Sequence, residues 1–374
     1  MSELEGTLPK KRVAYILCYR DPEYVRSLAL IGALRRDENV ALTVIRNHRR
    51  GVLRYVEVPL KLAWVRLTRS PDIFFVGFRG HEVFWLLYPS MAGKKIVFDE
   101  FINLHDWLVN EHRRLRADSL VARLIDRYMK WVHSRSDLIL SDTEAHARLS
   151  AKTYETCRSK FVAVPVGTDE RTFYPRERAR RSDRFEVFFF GNMLPLHGMS
   201  VILESIESLA ETRRIHGIHF SLVGGRGNPQ AIRRISDFIE TNRLGSSVTH
   251  LDWVPYQDLP DHIASADLCL GGPFGNTGQA RRVVTGKTYQ FLAMGKSTII
   301  GAVEDLTGFE DKHNCLIVEQ GAPELLADAI EWAFEHRDRL EGIGSHGLAL
   351  FESHFSQHAQ QQTLRRLVLD PLSL

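Results

Sequence analysis

The chain has 374 residues, 44% hydrophobic and 25% charged, an ordinary composition for a folded protein of two domains at roughly 150 residues each. Its 49 Lys and Arg against 46 Asp and Glu leave a formal net charge of +3, too small to argue for a nucleic-acid binder. No apolar run is long enough to span a bilayer, and the polar opening MSELEGTLPKKR carries no signal-peptide pattern. The cysteines (Cys18, Cys157, Cys269, Cys315) form no metal-type pair, and three sit in or beside apolar runs as buried thiols, which suits a reducing cytoplasm.

Short apolar runs alternate with helix-length amphipathic stretches from the start. Strands are expected at residues 12–18, 40–46, 72–77, 95–98, 137–140 and 160–164, with helices near 23–36, 58–68, 82–92, 119–135 and 144–154. The pattern then breaks at PVGTDERTFYPRERARRSDR, which has two prolines, many charges and no period, so it reads as a linker. It restarts with strands at 185–190, 219–223, 248–251, 268–270, 297–300 and 315–318. Helices are expected near 199–211, 230–242, 258–264, 287–294, 324–336, 340–353 and 357–369. The expected fold class is α/β, with two doubly wound parallel sheets facing a central cleft. The boundaries are 1–165, a linker at 166–184, and 185–355, with the last helix (356–374) packing back on the first domain.

Ligands of open α/β sheets bind outside the carboxyl ends of the strands, so those loops are the candidates. FFFGNMLPLHGMS places Gly191, Asn192, His197 and Gly198 between a strand and a helix. SLVGGRGNP places Arg226 among three glycines. LDWVPYQ puts Val254 and Tyr256 after a strand, beside exposed backbone that could hold a nucleobase. In RRVVTGKTYQFLAMGKSTII, basic Arg281 and Arg282 precede a helix opened by Thr285, Gly286, Lys287 and Thr288. A lysine is unfavourable at a helix N-terminus unless an anion is there. In the first half, FRGHEV and DEFINLHDW bring His81 and Asp99 to strand ends as candidate acid, base or acceptor anchor, Asp99 directly after an apolar strand. The segment 111–135, EHRRLRADSLVARLIDRYMKWVHSR, is basic and amphipathic. It reads either as a solvated helix or as a peripheral contact with an anionic membrane.

Several of these stretches resemble a known family. VPVGTDERTFYP is similar to the inter-domain signature of GT-B glycosyltransferases of family GT4, and FFFGNMLPLHGMSVILESI to its donor loop and helix. LVGGRG resembles its second glycine loop, GKTYQFLAMGKSTIIG its most recognisable helix and strand, and ELLADAIEWAF with FESHFSQ its C-terminal helices. The resemblance is specific over residues 160–369. It implies two Rossmann-like domains and a retaining, hexosyl-type transferase that moves sugar from a nucleotide-diphosphate sugar to an acceptor hydroxyl. That acceptor would be a glycan, a lipid-linked glycan or a small molecule. The resemblance implies no metal and no other cofactor. It implies that Gly191 lets the diphosphate approach, that Gly286, Lys287 and Thr288 give it backbone donors, and that Val254 lines the base pocket. With the loop reading, the diphosphate candidates are Gly191, Asn192, His197, Gly198, Arg226, Gly286, Lys287 and Thr288, and the ribose and base candidates Gln290, Val254 and Tyr256.

The sequence departs from the family at four places. Asn192 and His197 stand where the family commonly has an arginine and a lysine, and Arg282 and Gln290 where it has two glutamates. Gln290 can still bond ribose hydroxyls, but Arg282 cannot act as a carboxylate. The expectation is that charge has moved, with Arg282 and Lys287 supplying the missing phosphate cations. Asp99, His81 and Arg282 are the catalytic candidates. The alternatives are a catalytically inactive relative that binds nucleotide-sugar or a partner, and a nucleotide-sugar epimerase or phosphorylase on the same scaffold.

Overall fold

The computed structural model describes residues 10–19, 24–49, 51–177 and 184–373. The expected start of the first helix at Glu23 and the linker residues 178–183 lie outside that range. Two compact units emerge: residues 1–166 together with 357–374, and residues 167–356.

The first unit is built on β1 (Lys11–Ile16), β2 (Val40–Ile45), β3 (Ile73–Val76), β4 (Lys95–Asp99), β5 (Leu138–Ser141) and β6 (Phe161–Ala163). All pairings are parallel, in the order β2-β1-β3-β4-β5-β6. Strands such as IFFV are buried along their whole length because helices cover both faces. One face packs on the helices Arg54–Arg69, Phe84–Met91 and Leu120–Arg135. The other packs on Val25–Arg36 and on the C-terminal segment through Leu364, Val368 and Leu369. The order reverses direction between β1 and β3, which opens a crevice at their carboxyl ends.

The second unit has β7 (Phe185–Phe190), β8 (Ile218–Val223), β9 (Val248–Leu251), β10 (Leu268–Leu270), β11 (Thr298–Gly301) and β12 (Leu316–Val318). They run parallel in the order β12-β11-β10-β7-β8-β9, the dinucleotide-fold order read from the far edge. Its switch point lies between β7 and β10. The periodic stretches became helices within a residue or two of expectation, among them Met199–Glu211, Pro229–Thr241 and Gly286–Ala293.

Three elements differ from expectation. Helix Arg54–Arg69 begins a full turn before residue 58 and runs through Pro59, which has no N–H to bond the Tyr55 carbonyl. Residues 278–282, unassigned by periodicity, form a five-residue helix capped by the Thr277 hydroxyl, which accepts from the Ala280 N–H. Within 111–135 only Leu120–Arg135 is an α-helix. The basic residues before it lie in a turn and a loop. Among the described residues no helix is long and apolar enough to cross a membrane.

Candidate nucleotide-diphosphate site

The site of the second unit is a set of backbones in close contact. β7 delivers Gly191, and β8 delivers Gly224, whose φ is +143°. A Cβ on Gly224 would lie 2.0 Å from the Gly191 carbonyl oxygen, so the two glycine loops touch where only glycine fits. Beyond the turn Pro195–His197, Gly198 takes φ +67° and opens the helix Met199–Glu211. β10 delivers Gly271, whose carbonyl accepts the Thr285 hydroxyl at 2.7 Å. Thr285 is the N-cap of helix Gly286–Ala293, yet its side chain makes no cap bond because it is spent on Gly271. That bond clamps the helix N-terminus against the strand end.

Lys287 is in the first turn of that helix and only 5% exposed. Its Nζ lies 4.9 Å from the centre of the Phe189 ring and has no hydrogen-bond partner among the described residues. Burial pulls its pKa down to about 7. His197 adjoins it: burial, and then the Lys287 charge, hold its imidazole well below the usual histidine range. Its Nδ1 is also buried without a partner, 2.9 Å from where a Gly191 Cβ would stand. Lys287 Nζ and His197 Nδ1, both without a partner among the described residues, are enclosed by glycine backbone and a helix N-terminus, an arrangement that could hold an anion.

Gln290 and Tyr256, expected together, are joined by a side-chain hydrogen bond. Gln290 is buried, and Tyr256 packs edge-on to Phe173 at 5.3 Å. Val254 is buried beside them in sequence, at 8% exposure. Arg226 is exposed, with its guanidinium 4.3 Å over the half-exposed Trp253 ring. Asn192 is exposed, and Thr288 is buried with its hydroxyl 3.1 Å from that of Thr285. Arg282 ends the five-residue helix 278–282, its guanidinium folded over Gly278. The cation that reaches His197 is Lys287. A separate hollow of about 370 Å³ by β7, β8 and β9 is lined by Glu186, His219 and Ser221. There Glu186 accepts from Ser221 and bonds His219.

Residues 184–336 match the family model described as Glycosyl transferases group 1. This match covers the whole of the glycine-loop and Lys287 site. No curated protein matches the sequence. Among solved structures, Alr3699/HepE of Anabaena, in complex with UDP and glucose, is similar at 15% identity and TM-score 0.71, over 96% of this chain and 100% of that one. Sucrose-phosphate synthase from Thermosynechococcus elongatus is similar at 15% identity and TM-score 0.73, over 97% and 100%. A UDP-N-acetylglucosamine 2-epimerase described as putative, from Listeria monocytogenes, follows at 12% and 0.56, over 94% of both. At these identities the likeness concerns the fold: two parallel six-stranded sheets with helices, as in GT-B glycosyltransferases.

In the first unit the other candidates stand at strand ends as expected, Asp99 closing β4 and His81 following β3. Asp99 is buried and paired with the fully buried Arg26 at 2.9 Å. Arg26 also donates to the Val164 and Pro165 carbonyls, tying β4 to the end of β6. Burial, the larger influence, pushes the Asp99 carboxyl above the usual range, and the Arg26 cation beside it works the other way. His81 lies in the turn Gly80–Glu82 after β3, and burial pulls its pKa down to about 4, so the ring is neutral near pH 7. At the β1/β3 switch point stands an aromatic group that the sequence reading missed. Tyr24 stacks on Phe78 at 4.4 Å, with Tyr19 and Phe101 against Phe78 at 4.9 and 5.4 Å. Arg26 was also missed, though legible: it lies three, four and seven residues before Ala29, Leu30 and Ala33, on the apolar face of its helix.

Proposed function

We propose that the chain is a metal-independent, hexosyl-type glycosyltransferase that takes sugar from a nucleotide-diphosphate sugar and passes it to an acceptor hydroxyl with retention. The observation that carries this reading is the buried Lys287–His197 pair beside Gly191 and the N-terminus of helix Gly286–Ala293. Breaking the bond from the sugar to the diphosphate leaves negative charge on the departing phosphate. Lys287 and the first N–H groups of the helix stabilise that charge. Gln290 with Tyr256 takes the ribose and base side, and Arg226 on Trp253 forms the rim. Asp99 acts through Arg26 to hold the loop after β6, and neutral His81 offers a hydrogen bond to the acceptor. Retention and the glycan, lipid-linked or small-molecule acceptor follow from the resemblance of residues 160–369. The Anabaena relative's complex holds UDP, so UDP is the first nucleotide to try.

The test is thermal shift of the wild-type chain and of Lys287→Ala against UDP, GDP, ADP and TDP and their sugar conjugates, with nucleotide release as the turnover assay. One nucleotide at about 100 times its dissociation constant is expected to stabilise the wild type by roughly 2.7 kcal/mol. Lys287→Ala is expected to lose on the order of 2 kcal/mol of that nucleotide's binding energy. Equal affinity in both proteins would remove Lys287 from the site. Binding without sugar transfer would favour the inactive reading, which Arg282 in place of a glutamate supports.

A further inference from the structure

Helix Arg54–Arg69 buries Val58 and Leu62 in the core of the first unit, as an amphipathic helix should. Its outer ridge is also apolar. Leu53, just before the helix, is 53% exposed, Val56 58%, Leu60 66%, Trp64 69% and Leu67 80%. Their spacing of three, four, four and three residues puts them on one line about 21 Å long. Exposed apolar residues scattered singly are normal, but a ridge of five on one helix marks a surface that is covered in use.

Charge indicates what covers it. Residues 46–69 carry Arg46, Arg49, Arg50, Arg54, Lys61, Arg66 and Arg69 against one acid, Glu57. Arg54 also pairs with Glu82 at 2.8 Å and Lys61 with Glu57 at 2.7 Å, which still leaves an excess of positive charge. Glu57 is spent locally: it accepts from Lys61 and from the His48 and Arg49 N–H groups, bonds that hold its carboxyl down at about 2. Beside the ridge, edge strand β2 and the helix enclose an open groove of about 510 Å³. Leu60, Trp64 and Val65 form its apolar wall, and Arg46 and Lys61 its basic rim. Aliphatic side chains and a tryptophan flanked by cations match a helix lying in a lipid interface. A second copy of the chain would bring the same excess of positive charge against this one.

We propose that helix Arg54–Arg69 and the groove beside it are a docking surface for an anionic lipid bilayer. The surface is distinct from residues 111–135, whose helix is Leu120–Arg135. Its existence does not depend on the transfer reaction.

The test is cosedimentation of the full chain with extruded vesicles of phosphatidylcholine alone or mixed equally with phosphatidylglycerol. Binding is expected to the mixed vesicles only, and to weaken with salt. Trp64→Ser/Leu67→Ser should lower partitioning at least about tenfold, and Arg66→Glu several-fold, with unchanged thermal midpoints because the side chains are exposed. Brominated phosphatidylcholine added to the mixed vesicles should quench tryptophan emission in the wild type and less in Trp64→Phe. The proposal is overturned if the wild type binds neither vesicle, or if Leu120→Ser/Leu124→Ser abolishes binding while the ridge variant keeps it. It is equally overturned if the ridge variant only converts a dimer to a monomer in sedimentation velocity.

Discussion

The Lys287 ammonium lies against Phe189 and His197 with no acceptor among the described residues, and its proton is therefore loosely held. Unfolded, the side chain titrates at its ordinary value of 10.5; folded, at about 7. Between those values the unfolded chain keeps a proton that the folded chain has released. Stability of the free protein should therefore rise with pH across that window, from this group, and be indifferent to it below pH 7. A bound diphosphate reverses the balance by restoring the charge. Near pH 8, calorimetry in buffers of different ionisation enthalpy should find uptake of a fraction of a proton, at most about one, on nucleotide binding. Lys287→Met should lose that uptake, and equal uptake in both proteins would count against the assignment.

At the scale of elements, the site is a junction of strand ends held at backbone distance. Gly224 over Gly191 is its tightest point, and Thr285 on Gly271 fixes the helix that presents Lys287. Gly224→Ala must displace the Gly191 loop and also strain a φ of +143°. A loss of about 1–3 kcal/mol in denaturant unfolding, together with weakened nucleotide binding, is expected. A variant with unchanged stability and affinity would mean that the two loops part easily. The buried Arg26–Asp99 pair in the first unit has a similar bracing task, joining a helix, the end of β4 and the carbonyls after β6.

At the scale of the whole molecule, the chain returns to its first unit at its end. Residues 357–374 belong to that unit, where Leu364, Val368 and Leu369 are buried against the sheet face that also carries Val25–Arg36. Gln360 donates to the Pro165 carbonyl at 2.7 Å, and Lys11 pairs with Asp370 at 2.8 Å. Ending the chain at residue 356 removes those three side chains and uncovers the face they bury, Leu30, Ile31 and Leu34 among it, at about 1.5–3 kcal/mol for each buried side chain involved. Limited proteolysis should then cut first within residues 10–166, while the second unit stays resistant. Uniform resistance would show that the segment is dispensable.

Periodicity determined the class of this fold, because strands covered on both faces must be apolar throughout and the helices between them must be amphipathic. The glycine loops and the Gly-Lys-Thr helix start were legible for the same local reason: tight turns with positive φ need glycine, and a helix start leaves free N–H groups. What the sequence could not determine was which cation meets which loop. Arg282 and Lys287 are five residues apart and alike in charge, but only the packing of helix Gly286–Ala293 on Gly271 carries Lys287 inward to His197, while Arg282 ends a separate turn of helix. Asp99 reads as a candidate acid, base or acceptor anchor, and only the fold brings Arg26, seventy-three residues earlier, beside it. The apolar ridge on Arg54–Arg69 was hidden in the same way, since a leucine's spacing says that it shares a face with others and only the tertiary structure decides whether that face is covered.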